Sequence, residues 1–190
     1  MRALVEQLEQ SLASGQYFLT LFTALTLPDI AAALDSEDGF ATGPRYVAWY
    51  EQWVRPQFGK AILATLPASL PPEQQEYIKN GLQEPPLDGD ACYRFRCSLL
   101  HQGTTQHPKS QFSRIIFIEP HATSTKIHNC IIKDALCIDL QSFCRELIAG
   151  VRAWLDQAEN TERFKANYEK FVRRHPQGLK PYIAGVPVVG

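Results

Sequence analysis

Val5, Leu8 and Leu12 recur at helical spacing, and Gly15 follows as a stop, so the chain opens on an amphipathic helix. A second apolar series, Tyr17, Phe18, Leu21, Phe22 and Leu25, predicts another helix. Pro28 breaks or restarts it, and Ile30 to Leu34 is its short continuation. Asp35 to Gly39 is a polar, acidic loop. Thr42-Gly43-Pro44 opens the next helix, on which Tyr46, Trp49, Tyr50 and Trp53 fall at i, i+3, i+4 and i+7 until Arg55-Pro56 ends it. An aromatic stripe at that spacing belongs to a core rather than to base stacking. Lys60 to Leu66, and a segment from Pro71-Pro72 to Asn80-Gly81, are two further short helices, and Leu82 to Gly89 is a loop. Asp90 is suited to cap a helix over Ala91 to Gln102, with Gly103 as its stop.

After the polar segment Thr104 to Ser110 the period changes. Arg114 to Ile118 reads as a strand ended by Pro120. Lys126 to Ile132 and Leu136 to Leu140 read as two more, joined as a hairpin near Lys133-Asp134-Ala135. Helical spacing returns with Phe143, Leu147, Val151, Trp154 and Leu155, then Phe164, Tyr168, Phe171 and Val172, with a cap near Asn160-Thr161. The expected fold is α+β and mainly helical: a helical bundle with a small antiparallel β-sheet inserted before its last two helices. It forms a single domain over 1–190, helical in 1–103, with the sheet in 112–140, helices in 141–175 and an extended tail in 176–190.

The 190 residues, 45% apolar and 21% charged, suffice for one domain with a real core and exclude global disorder. Uninterrupted apolar runs such as Ile115 to Ile118 are a few residues long, and Glu6 interrupts the amino-terminal segment. No membrane span and no signal peptide are therefore expected. Five cysteines cannot all pair within one chain, which suits a cytoplasmic protein with reduced thiols. Cys130, Cys137 and Cys144, seven apart, read as small buried hydrophobes. Cys92, Cys97 and His101 form C-x4-C-x3-H, which is not a zinc spacing, and no phosphate-loop or dinucleotide motif occurs, so neither metal nor cofactor is expected.

The net charge of −1 hides an asymmetry, −7 over residues 1–90 and +6 over 91–190. Ala91 to Ile118 contains no acid but carries Arg94, Arg96, Lys109, Arg114, His101 and His107. Such a stretch attracts an anion, or it pairs with the acidic half of its own chain. On a helix Arg94, Ser98 and His101 lie at i, i+4 and i+7, one polar stripe, with Tyr93, Leu100 and part of Phe95 on the buried side. Arg96 sits about 140° from His101 around the axis, but its side chain is long enough to reach partway back. In the last turn the helix dipole favours a charged imidazole. Cleaving a phosphodiester without a metal requires a proton-transfer group active near neutral pH and a cation fixed on the phosphate, which His101 and Arg96 supply. Lys109 and Arg114 extend the phosphate track. The structural alternative has Arg96 tying its helix to the acidic loop Asp35 to Asp38, with His101 as a capping residue.

The string Arg96-Cys97-Ser98-Leu99-Leu100-His101 resembles the R-x4-6-H motif of the HEPN superfamily of small helical bundles, many of them metal-independent ribonucleases. The resemblance implies that His101 handles a proton while a ribose 2′-hydroxyl attacks the neighbouring phosphate. It implies that Arg96 stabilises charge on that phosphate, and that two copies of the motif face each other across a homodimer. Active members commonly carry Asn, Asp or His after the arginine; here that residue is Cys97, a departure that bears on activity more than on fold. The longer string from Tyr93 to Gly103, with His107-Pro108-Lys109-Ser110 and Ser113 to Phe117, resembles a family of uncharacterised bacterial proteins. Two other functions remain open: a non-catalytic homodimeric binding or scaffold protein in which the Arg/His pair is structural, and a small-molecule enzyme with a pocket between bundle and sheet.

Overall fold

The computed structural model describes residues 1–64, 66–83, 85–124 and 126–190. Eight α-helices stand among them: α1 (Arg2–Ala13), α2 (Tyr17–Leu34), α3 (Gly43–Trp49), α4 (Lys60–Ala64), α5 (Pro72–Gln83), α6 (Gly89–Gln102), α7 (Leu140–Ala158) and α8 (Glu162–Tyr168). Of the helix expected over Lys60 to Leu66, Thr65 lies outside the described residues, as does Glu84 of the expected loop. The helix expected to stop at Asn80-Gly81 runs through both.

α2 is the hub, meeting α1, α3, α6, α7 and α8. It passes through Pro28 without a break and buries Thr20, Ala24, Leu25, Leu27, Pro28, Ala31, Ala32 and Leu34. Burial on several sides holds the helix together across the missing proline donor, and such a helix has no polar face. Its 18 residues are long and on average apolar enough to cross a membrane by length and composition, yet half of them are buried inside the fold. No long uninterrupted apolar run marks it in the sequence, because threonines and Asp29 punctuate the series.

α3 begins at Gly43 with Thr42 as its cap, then widens into a π-turn over Tyr50–Val54 and tightens into a 3-10 turn over Arg55–Gln57 before Phe58. Its aromatic stripe is core, as the spacing predicts: Tyr46 and Tyr50 are fully buried, and Trp49 meets the Trp154 ring edge-on at 5.9 Å. α7 starts on Asp139, which accepts the Ser142 amide, and Thr161 caps α8.

The inserted sheet comprises β1 (Arg114–Ile118), β2 (Cys130–Ile132) and β3 (Ala135–Asp139) in the order β1-β3-β2. β2 and β3 form the expected hairpin across Lys133-Asp134, with Lys133 at φ 58°. The sheet is nevertheless mixed rather than antiparallel, because β1 pairs parallel with β3, Arg114 opposite Ala135 through Ile118 opposite Asp139. β2, the next strand in the chain after β1, takes the opposite edge, which leaves the central position to β3. That strand is buried from Ala135 to Ile138, as a central strand covered on both faces requires. The tail is not merely extended. It folds back in two short antiparallel pairs, β4 (Arg174–His175) with β7 (Val188–Val189) and β5 (Gly178–Leu179) with β6 (Ile183–Ala184).

Candidate active site

α6 carries the motif and is fixed at both ends. Asp88, two residues ahead of the expected cap, accepts the Ala91 amide at 2.7 Å. Gly89 donates its amide to the Glu51 carboxylate at 2.6 Å, and a Cβ there would stand 2.9 Å from the Val47 carbonyl oxygen. At the other end Gly103 adopts φ 65°, and the amides of Gly103 and Thr104 close onto the carbonyls of Leu99 and Ser98. This terminates the helix through its backbone. His101 is therefore not its cap.

Arg96 and His101 meet. The guanidinium Nη1 lies 3.0 Å from His101 Nε2. Arginine can only donate, so Nε2 accepts and the imidazole proton sits on Nδ1. On its other side Arg96 Nε donates to Asp29 Oδ2 at 2.7 Å, with the arginine and aspartate side chains 20% and 16% exposed. His101 itself is exposed. The result is a chain from a half-buried carboxylate, through a guanidinium, to an imidazole at the surface. Burial raises the Asp29 carboxyl above the usual carboxylate range, against the pull of Arg96 and His101. Burial opposes charge on Arg96 most strongly of any single cause, but Asp29 and Cys97 together outweigh it and raise the guanidinium further. Cys97 lies against Tyr93, and their hydrogen bond raises the phenol.

The remaining candidates do not join this cluster. Arg94, two residues before Arg96, is turned about 200° around the helix. It pairs with Asp90 at 2.6 Å and donates to the Lys109 carbonyl. Arg94 and Lys109 line a separate cavity of about 380 Å³ with Asp88, Asp90, Ser110 and Gln111. Arg114 opens β1 and is exposed. Ser98 departs from the expected stripe: it is buried, and its hydroxyl has no hydrogen-bond partner among the described residues. Tight packing of α6 on α2 and α3 turns that position inward. The partner of Arg96 differs from the acidic loop of the structural alternative, where Asp38 is taken by Arg45 at 2.6 Å.

Two functional-type groups escaped the sequence reading. Asp29 had one usable signal, a lone acid inside an otherwise apolar helix, which needs a partner once buried. His128 and Glu146 form a buried pair, Nε2 to Oε2 at 3.0 Å, with Phe58 stacked on the imidazole. Nothing in their spacing of 18 residues announces that pair. Comparison of the chain with family models, with curated proteins and with solved structures gives no match, so the work of the site must be read from its own geometry.

Proposed function

We propose that the protein is an HEPN-like RNA-binding protein with metal-independent endoribonuclease activity, cytoplasmic and homodimeric. The observation that supports this most is the 3.0 Å contact between an anchored guanidinium and an exposed imidazole. Asp29 occupies Nε and His101 meets Nη1, so Nη2, and Nη1 once it leaves the imidazole, are the donors that would meet a phosphate oxyanion. An oxyanion that draws Nη1 to itself releases the lone pair on His101 Nε2. That nitrogen then takes the proton of the ribose 2′-hydroxyl while its oxygen bonds to phosphorus and the bond to the 5′-oxygen breaks. Arg96 holds the charge that develops on the phosphate. The departing 5′-oxygen takes a proton from water, His101 returns its own to solvent, and the products are a 2′,3′-cyclic phosphate and a 5′-hydroxyl.

A second reading has its own observation. The Asp29–Arg96 ion pair joins α2 to α6 across 67 residues. An arginine committed in that way suits a non-catalytic homodimeric scaffold. Incubating the purified protein with single-stranded RNA in the presence of a chelator separates the two. Cleavage that persists and leaves cyclic phosphate ends supports the nuclease; intact RNA, or cleavage that the chelator abolishes, rejects it.

A further inference from the structure

Two cysteines stand directly opposite each other in the β2–β3 hairpin. Cys130 is the register partner of Cys137, one exposed and the other buried. Opposed residues of an antiparallel pair project from the same face of the sheet. The ladder fixes the relation further: Ile131 faces Leu136 and Ile132 faces Ala135, across a turn with Lys133 in the left-handed region. Opposed Cα atoms in such a pair are about 4.5–5.5 Å apart, inside the roughly 4.4–6.8 Å that a disulfide spans. Their Cβ atoms, about 4.5–5.5 Å apart, must close by about 1 Å. β2 can supply that shift, since it is an edge strand and β3 is its one strand neighbour among the described residues.

We propose that Cys130 and Cys137 form a redox-active dithiol that a hydroperoxide closes to a cross-strand disulfide. Access divides the roles, because Cys130 reaches solvent while Cys137 is 6% exposed. The Cys130 sulfur attacks the peroxide. A sulfur–oxygen bond forms, the oxygen–oxygen bond breaks, and the leaving oxygen departs as water or alcohol with the thiol proton. The Cys137 sulfur then attacks the Cys130 sulfur. A sulfur–sulfur bond forms, the sulfenic hydroxyl leaves, and the Cys137 proton completes a second water. Two thiols are oxidised and one peroxide is reduced. The other three cysteines lack this arrangement: Cys92 and Cys144 are fully buried, with burial pushing each thiol up to about 12, and Cys97 sits on α6 beside Tyr93.

The test is brief exposure of the folded, fully reduced protein to hydrogen peroxide, followed by alkylation in denaturant and non-reducing peptide mapping. The expected result is a fall from five alkylated thiols to three, one Cys130–Cys137 cross-link, and full recovery with dithiothreitol. Cys137→Ser should leave Cys130 as a sulfenic acid that a dimedone probe traps, and Cys130→Ser should keep Cys137 reduced under the same exposure. Five thiols that persist, a bond to Cys92, Cys97 or Cys144, or disulfides only between chains would each overturn the proposal.

Discussion

At the scale of single residues, Asp29 and His101 stand in opposite situations around Arg96. Arg96→Ala leaves a carboxylate 16% exposed without its counter-charge. Breaking a buried pair costs about 3–5 kcal/mol, and partial exposure brings the expected loss here to about 2 kcal/mol. His101 is exposed, so His101→Ala should change stability by less than about 0.5 kcal/mol. Urea denaturation of the two variants measures both, and equal losses would mean that the histidine is structural as well. Asp38 supplies a pH dependence. Arg45, the Phe40 amide and the Ser36 hydroxyl hold its carboxyl down at about 2. A group depressed in the folded state stabilises above its unfolded value of about 3.9. That contribution should disappear as the pH falls toward 2, and Asp38→Asn should flatten this part of the stability profile. The Arg96–His101 contact was legible because both ends lie on one helix five residues apart. Asp29 was not, because its relation to Arg96 is made by the packing of α2 on α6. Ser98 misled because helical spacing alone does not say how closely a neighbouring helix covers a face.

At the scale of elements, local signals carried the helices and failed where pairing is non-local. α1 could be read from apolar spacing and a terminal glycine, α6 from an acidic cap and a terminal glycine, and α7 from apolar spacing alone. The parallel partnership of β1 and β3 could not, since alternation within a strand does not encode which strand lies beside it. Nor could the closing of the tail on itself, where each pair is only two residues long. Pro28 in the sequence marks a break or a restart, but α2 is enclosed by other helices and continues through it. The contact of α7 with the π-turn offers a test of this packing. A Cβ on Gly150 would stand 2.9 Å from the Trp53 carbonyl oxygen and 3.0 Å from Val54 Cγ2. Backbone cannot yield as a side-chain tip can, so Gly150→Ala should destabilise by about 1–3 kcal/mol, read as a lower midpoint in thermal unfolding. An unchanged midpoint would mean that α7 and the π-turn are not in close contact.

At the scale of the whole molecule, the acidic and basic halves meet in part within the chain, through Arg96 with Asp29 and Arg152 with Glu9. Apolar surface remains outside the fold. Phe18 and Phe40 are 85% and 71% exposed, and on the folded tail Tyr182, Ile183, Val186 and Val189 all face solvent. A second copy could cover such surface. Light scattering at micromolar concentration should therefore give about twice 21.4 kDa; a mass near 21.4 kDa would contradict the homodimer. The most direct measurement of the site itself is RNA binding and cleavage by wild type, His101→Ala and Arg96→Ala side by side. His101→Ala should abolish cleavage and keep RNA affinity within a few-fold, because a neutral imidazole adds little attraction for phosphate. Arg96→Ala should weaken both, because it removes a charge-assisted phosphate contact. Cleavage retained in His101→Ala, or wild-type protein that neither binds nor cuts RNA, would contradict the account.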